Sequence, residues 1–128
     1  MEYLAEAYQK DDSLLPKDPK AKANIHARVH FEIGTLYPRF LMTYIHPRFF
    51  GKEISPDNVK LLDETLAILD QYLSLKKWIA ADHMTIADIS LVVVIGSIQV
   101  CAVWYTLISL MLCALIAILL IYRQADMM

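Results

Sequence analysis

Residues 89–122 are 34 consecutive positions without a charged side chain, and any fold of this chain must place them. Of the 26 Lys, Arg, Asp and Glu residues, 24 lie in residues 1–88, and the others are Arg123 and Asp126. Residues 101–121 alone hold eleven Leu, Ile or Val. At about 1.5 Å per residue such a stretch crosses a hydrocarbon core of about 30 Å. At about −0.3 to −0.6 kcal/mol each, those eleven residues favour insertion by roughly 3–7 kcal/mol. Trp104 and Tyr105 at one end and Tyr122-Arg123 at the other have the character of interfacial anchors. The alternative is a soluble helix covered on every side, since it is apolar nearly all round. About 100 residues of remaining chain can hardly supply that cover, so 101–122 reads as a candidate membrane span or tail anchor.

The rest has the proportions of one ordinary domain. The chain has 128 residues, a net charge of −2 and a mean hydropathy of +0.40. Disorder as the main state is excluded, and the lack of a basic face argues against nucleic-acid binding. Cys101 and Cys113 sit about 18 Å apart if they share one helix, too far for a disulfide. No zinc spacing of Cys and His occurs, and Glu2, Glu6, Asp11 and Asp12 rule out a signal peptide at the start.

Periodicity predicts an all-α chain. Residues 1–8 read as the last turns of a helix whose beginning lies outside the sequence, and 9–17 as a polar connection. Asp18-Pro19 is a cap-plus-proline helix start. Ile25, Val29, Ile33, Leu36 and Phe40 then form one apolar face at spacings of 4, 4, 3 and 4. Pro38 predicts a kink, eased by Gly34, and His46 to Gly51 predicts a break. Ser55-Pro56 opens a helix with Val59, Leu62, Leu66, Leu69 and Leu73 on one side. Thr85 and Asp88 predict a capping box, and Met84 and Ile89 the hydrophobic staple that accompanies it. The following helix should be buried on all sides. His26 and His30, four apart, could share a metal, but no third ligand is evident and no metal is expected.

These motifs, taken in order, resemble one family. Asp12-Ser13-Leu14-Leu15-Pro16-Lys17-Asp18-Pro19 resembles the interdomain linker of cytosolic glutathione S-transferases, most of all the insect delta class. Phe31-Glu32-Ile33-Gly34-Thr35-Leu36-Tyr37 is similar to the first helix after that linker. Trp78-Ile79-Ala80-Ala81-Asp82 with Met84-Thr85-Ile86-Ala87-Asp88-Ile89 is similar to the start of its buried helix. The resemblance runs to about Val100, with one extra residue between Phe40 and Pro47. It implies a glutathione S-transferase C-terminal-like helical domain over 18–100. Residues 1–8 would be the remnant of a thioredoxin-like domain, which in the family binds glutathione and activates its thiol.

The resemblance further implies glutathione as co-substrate, apolar electrophiles as partners, a possible homodimer and a cytoplasmic setting. Tyr37, Phe40, Phe49 and Phe50 would line the hydrophobic substrate pocket, although plain core aromatics would read the same way. Glu32 matches an acidic position near glutathione, but its own setting reads as an exposed helix charge. Ser13 and Tyr37 are not thiol activators, so no catalytic residue is assigned and the chain alone is expected to be inactive. The alternatives are a non-catalytic, membrane-anchored helical binding module, or a truncated or mis-spliced product. Two departures carry expectations of their own. After Cys101 the sequence turns nearly pure Leu, Ile and Ala. Ala81 stands where the family often has Gly, which would strain a positive φ.

Overall fold

The computed structural model describes residues 1–74 and 76–125, with side chains described except at 105 and 108–125. Six α-helices form, and no strand occurs among the described residues. They are α1 (Glu2–Tyr8), α2 (Pro19–Phe31), α3 (Tyr37–Phe40), α4 (His46–Phe50), α5 (Pro56–Ser74) and α6 (Ile86–Ala125). The chain divides into one unit over 1–96 and another over 97–128.

Helix α2 begins as its sequence dictates. The Asp18 carboxylate accepts the Ala21 N–H at 2.8 Å, and Pro19 occupies the first helical turn, where its missing N–H costs nothing. From there the backbone stays right-handed through Phe50. Two π turns, Glu32–Leu36 and Leu41–Ile45, join α2 to α3 and α3 to α4.

Each π turn precedes a proline. Tyr37 N–H reaches back five residues to the Glu32 carbonyl, and His46 N–H does the same to Leu41. A wide turn relieves the clash between the proline ring and the carbonyl four residues earlier, a cost of roughly 3 kcal/mol in a regular helix. The expected irregularity at Gly34 and Pro38 therefore takes the form of a π turn. The expected break at His46 does not occur, because the second π turn carries the helix past Pro47. A π turn holds one more residue than an α turn, and Leu41–Ile45 falls where the resemblance calls for an extra residue. The run stops instead at Gly51, whose φ of 62° is the left-handed conformation that glycine tolerates. Lys52 N–H then closes back to the Pro47 carbonyl at 2.9 Å, as in a Schellman end.

Packing within the first unit follows the stripe Ile25, Glu32, Leu36, Phe40, Thr43, all buried. Ile33, expected on this face, is 59% exposed. It lies one residue, about 100°, round from Glu32, which takes the inward place. Helix α5 packs its buried Leu62, Thr65 and Leu69 against α3 and both π turns. Leu73, at the end of its expected face, is partly exposed.

Helix α6 starts with Ile86, Ala87, Leu91 and Val94 buried. Val92 and Val93 beside them are exposed, so the helix is not enclosed on all sides as its composition suggests. Its backbone remains helical to Ala125. Most side chains of the candidate span 101–122 lie outside the described residues, as does that of Cys113.

Candidate functional site

Asp88 organises the start of α6. Its Oδ1 accepts the Ile79 N–H at 2.9 Å. Its Oδ2 accepts the Thr85 N–H at 2.8 Å and the Thr85 hydroxyl at 2.9 Å. A carboxylate at a helix N-terminus also meets the favourable end of the helix dipole. One half of the expected capping box is thus in place, carboxylate to Thr85 N–H. In the other half, Asp88 N–H bonds the Thr85 backbone carbonyl at 3.1 Å, while the Thr85 hydroxyl turns to the carboxylate. Of the staple pair, Met84 is 45% exposed and Ile89 is half-buried. Ala81 bears no strain, since among the described residues only Gly51 has a positive φ.

The connection 9–17 is tied to this start. Ile86 N–H donates to the Leu14 carbonyl at 3.2 Å, and His83 Nε2 lies 2.9 Å from the Ser13 carbonyl oxygen. Gln9 pairs through its side-chain amide with both backbone groups of Leu15, at 3.1 and 3.2 Å. That bond pair seats Leu15, which is 2% exposed.

Glu32 is buried, not an exposed helix charge. Its Oε2 accepts the Ser90 hydroxyl at 2.7 Å, linking the first π turn to α6. Ser90 also lines an open cavity of about 360 Å³ with Tyr3, Val29, Ile33 and Ile86. The spacing 25, 29, 32, 36 carries this signal in the sequence.

The four expected pocket residues separate into two sets. Tyr37 and Phe40 are in ring contact at 6.3 Å, and Phe40 in turn meets Tyr44 at 6.3 Å. Phe40 is buried and Tyr37 partly exposed. Phe49 and Phe50 are 81% and 69% exposed, and Phe50 pairs with His46. They enclose nothing, because Pro47 and Gly51 hold them on a short terminal turn.

A polar seam that the sequence reading missed supports the Tyr37–Phe40 segment. The Arg39 guanidinium donates to the Leu61 carbonyl at 2.8 Å and to the Thr65 hydroxyl. Thr65 donates to the Leu61 carbonyl at 2.8 Å. The Thr43 hydroxyl lies within bonding distance of the Arg39 and Asn58 carbonyls, at 2.7 and 3.1 Å. Asn58 donates to the Met42 carbonyl at 3.3 Å. That last bond has a specific cause. In a regular helix the His46 N–H would serve Met42, but the π turn sends it to Leu41, and the next residue is Pro47. Asn58 replaces the absent backbone donor. Thr43 and Thr65 at stripe positions were the available signal.

No group of three or more His, Cys, Asp or Glu able to hold a metal occurs among the described residues. His30 Nδ1 bonds the His26 carbonyl at 2.7 Å, and His26 Nε2 faces Glu2 at 3.2 Å.

The geometry has counterparts in known proteins. Residues 35–102 match the family described as glutathione S-transferase, C-terminal domain. This chain belongs to that family. Glutathione S-transferase D7 from Anopheles gambiae is 38% identical over 97 residues, which are 76% of this chain and 44% of that protein. A delta-class glutathione transferase from Nilaparvata lugens superposes with a TM-score of 0.74 at 40% identity, covering 77% of this chain and 46% of the other. A glutathione transferase from Bombyx mori gives 0.73 at 41%, covering 77% and 45%. The family resemblance read from the sequence is thus matched by both the family model and the solved structures. The chain spans less than half the length of these relatives, and the family match ends at residue 102 while α6 continues.

Proposed function

We propose that these residues form the electrophile-side half of a delta-like glutathione transferase. In that reaction the glutathione thiolate forms a carbon–sulfur bond to an apolar electrophile and displaces its leaving group, and the thiol proton passes to solvent. Tyr37 and Phe40 supply rigid apolar wall, with Phe49 and Phe50 joining it only when another segment covers them. The Glu32 carboxylate can reach glutathione only through the oxygen that Ser90 leaves free. The Asp88 cluster holds the floor of this half, and Arg39, Thr43 and Asn58 fix the wall. Thiol activation belongs to a thioredoxin-like half, so residues 1–128 alone do not conjugate. Pairing into a homodimer and a cytoplasmic setting follow from the same reading.

The supporting observation is the likeness at about 40% identity to less than half of each solved relative. The test is conjugation of 1-chloro-2,4-dinitrobenzene. Residues 1–128 are expected to give the uncatalysed rate, and the same chain joined to the thioredoxin-like half of a delta-class relative is expected to be active. An inactive joined protein that binds glutathione would end this reading.

A membrane-attached helical module is a second reading, favoured by one observation. The stretch Ile86–Trp104, which takes in only the first four residues of the expected span 101–122, is long and apolar enough to cross a membrane, and 28% of it is buried. Release of the protein from membranes by alkaline carbonate would end it.

A further inference from the structure

The Arg39 guanidinium carries more donors than the protein uses. Its Nη1 serves the Leu61 carbonyl and the Thr65 hydroxyl. Its Nε and Nη2 donate to no acceptor among the described residues. Those two nitrogens form one edge of a rigid planar fork, which matches the two oxygens of a carboxylate. No ion pair answers the charge either. Asp57 and Glu64, the acids flanking Asn58 and Thr65 on α5, do not bridge to it. Arg39 is half-buried, and its two bonds to α5 fix the fork in advance, so little freedom is left to lose on binding.

The second observation is a cavity at the same residue. Pro38, Arg39, Met42, Asn58 and Leu61 line an open cavity of about 150 Å³. Pro38, Met42 and Leu61 give it an apolar wall, and Met42 and Leu61 remain 51% and 42% exposed. A cavity of about this size holds one benzene ring. All five residues belong to the unit 1–96. Tyr37 and Phe40 are not in its lining, so it is separate from the aromatic wall described above.

We propose that this cavity binds a small aromatic carboxylate. The carboxylate accepts from the Nε–Nη2 edge of Arg39, and the ring lies against Pro38, Met42 and Leu61. A neutral aromatic molecule covers the apolar wall but leaves the charge unanswered. A bare carboxylate such as acetate answers the charge but leaves the wall in water. A ring bearing a carboxylate does both, joining a charge-assisted bidentate contact to apolar burial. The proposal does not depend on the transferase reading, because neither glutathione nor the Tyr37–Phe40 wall enters it.

The test is an NMR titration of the nitrogen-labelled 128-residue chain with benzoate. It is read at the Arg39 Nε and at the backbone amides of Arg39, Met42, Asn58 and Leu61. Saturable shifts at these groups with a Kd of about 1 mM are expected, and benzyl alcohol should bind at least about tenfold more weakly. Met42→Glu sets a rival carboxylate at the rim and should weaken benzoate at least about tenfold. Met42→Gln, of the same length without the charge, should stay within about threefold. Both keep the Met42 carbonyl that Asn58 serves. Should Met42→Glu fail to fold, the comparison of benzoate with benzyl alcohol on the unaltered chain decides alone. No saturable shift up to about 20 mM benzoate, or equal binding of benzoate and benzyl alcohol, overturns the proposal. So does acetate binding as tightly as benzoate, which would make Arg39 a plain anion contact, and so do shifts centred on other residues.

Discussion

The run from Pro19 to Phe50 and the start of α6 depart from their local sequence in opposite directions. The first contains two prolines that should end a helix, yet it continues. It does so because two π turns widen the coil and Asn58 of α5 supplies the donor that the Met42 carbonyl loses. The second has strong local instructions, with a threonine cap, a carboxylate and an apolar run. It starts as instructed, yet tertiary structure leaves Val92 and Val93 in solvent. Tertiary contacts thus repair a poor helix in one place and leave a good one half-covered in the other.

The sharpest test of that contrast is Asp88→Ala. It strands the Ile79 and Thr85 N–H groups and the Thr85 hydroxyl, at about 1–3 kcal/mol for each buried group. A loss of about 3 kcal/mol or more is expected in urea denaturation, and a loss under about 1 kcal/mol would show that α6 does not need its carboxylate. Next comes the repaired run. Asn58→Ala and Thr43→Val should each cost about 1–2 kcal/mol, Asn58→Ala because the Met42 carbonyl loses its donor. If Asn58→Ala is neutral, the π turn does not rely on α5. Val92→Lys on the uncovered side of α6 should change the stability of the monomer by less than about 0.5 kcal/mol.

The smallest effect is electrostatic and exposed. Lys22 pairs with Glu6, and its hydrogen bond and charge hold that carboxyl below its ordinary value of 4.5. A lowered folded pKa means the pair contributes fully above that ordinary value and is lost as pH falls through the folded one. Titration of the Glu6 carboxyl by NMR should show a midpoint below 4.5, with faster hydrogen exchange in α1 once it protonates.

Most of the fold was legible where the signal is local. Asp18-Pro19, Ser55-Pro56 and Thr85-Asp88 mark helix starts by capping chemistry that depends on neighbours in sequence. What stayed hidden depended on distant residues. A proline reads as a break unless one knows that Asn58 will satisfy the carbonyl it abandons. Glu32 reads as surface because a carboxylate seldom goes inside, and only Ser90, 58 residues later, explains its burial. The placement of the aromatic residues was half legible. Phe40 follows from the stripe, while the exposure of Phe49 and Phe50 follows from the turn that Gly51 ends.

Amide hydrogen exchange, resolved by residue, tests the central claim that the Asp88 cluster ties the connection 9–17, Ile79 and α6 into one cooperative start. The Ile79, Thr85 and Ile86 amides are expected to be among the slowest in the chain, and Asp88→Asn is expected to speed all three together. Exchange of these amides at free-chain rates in the unaltered protein, or release of Ile79 alone in the variant, would contradict it.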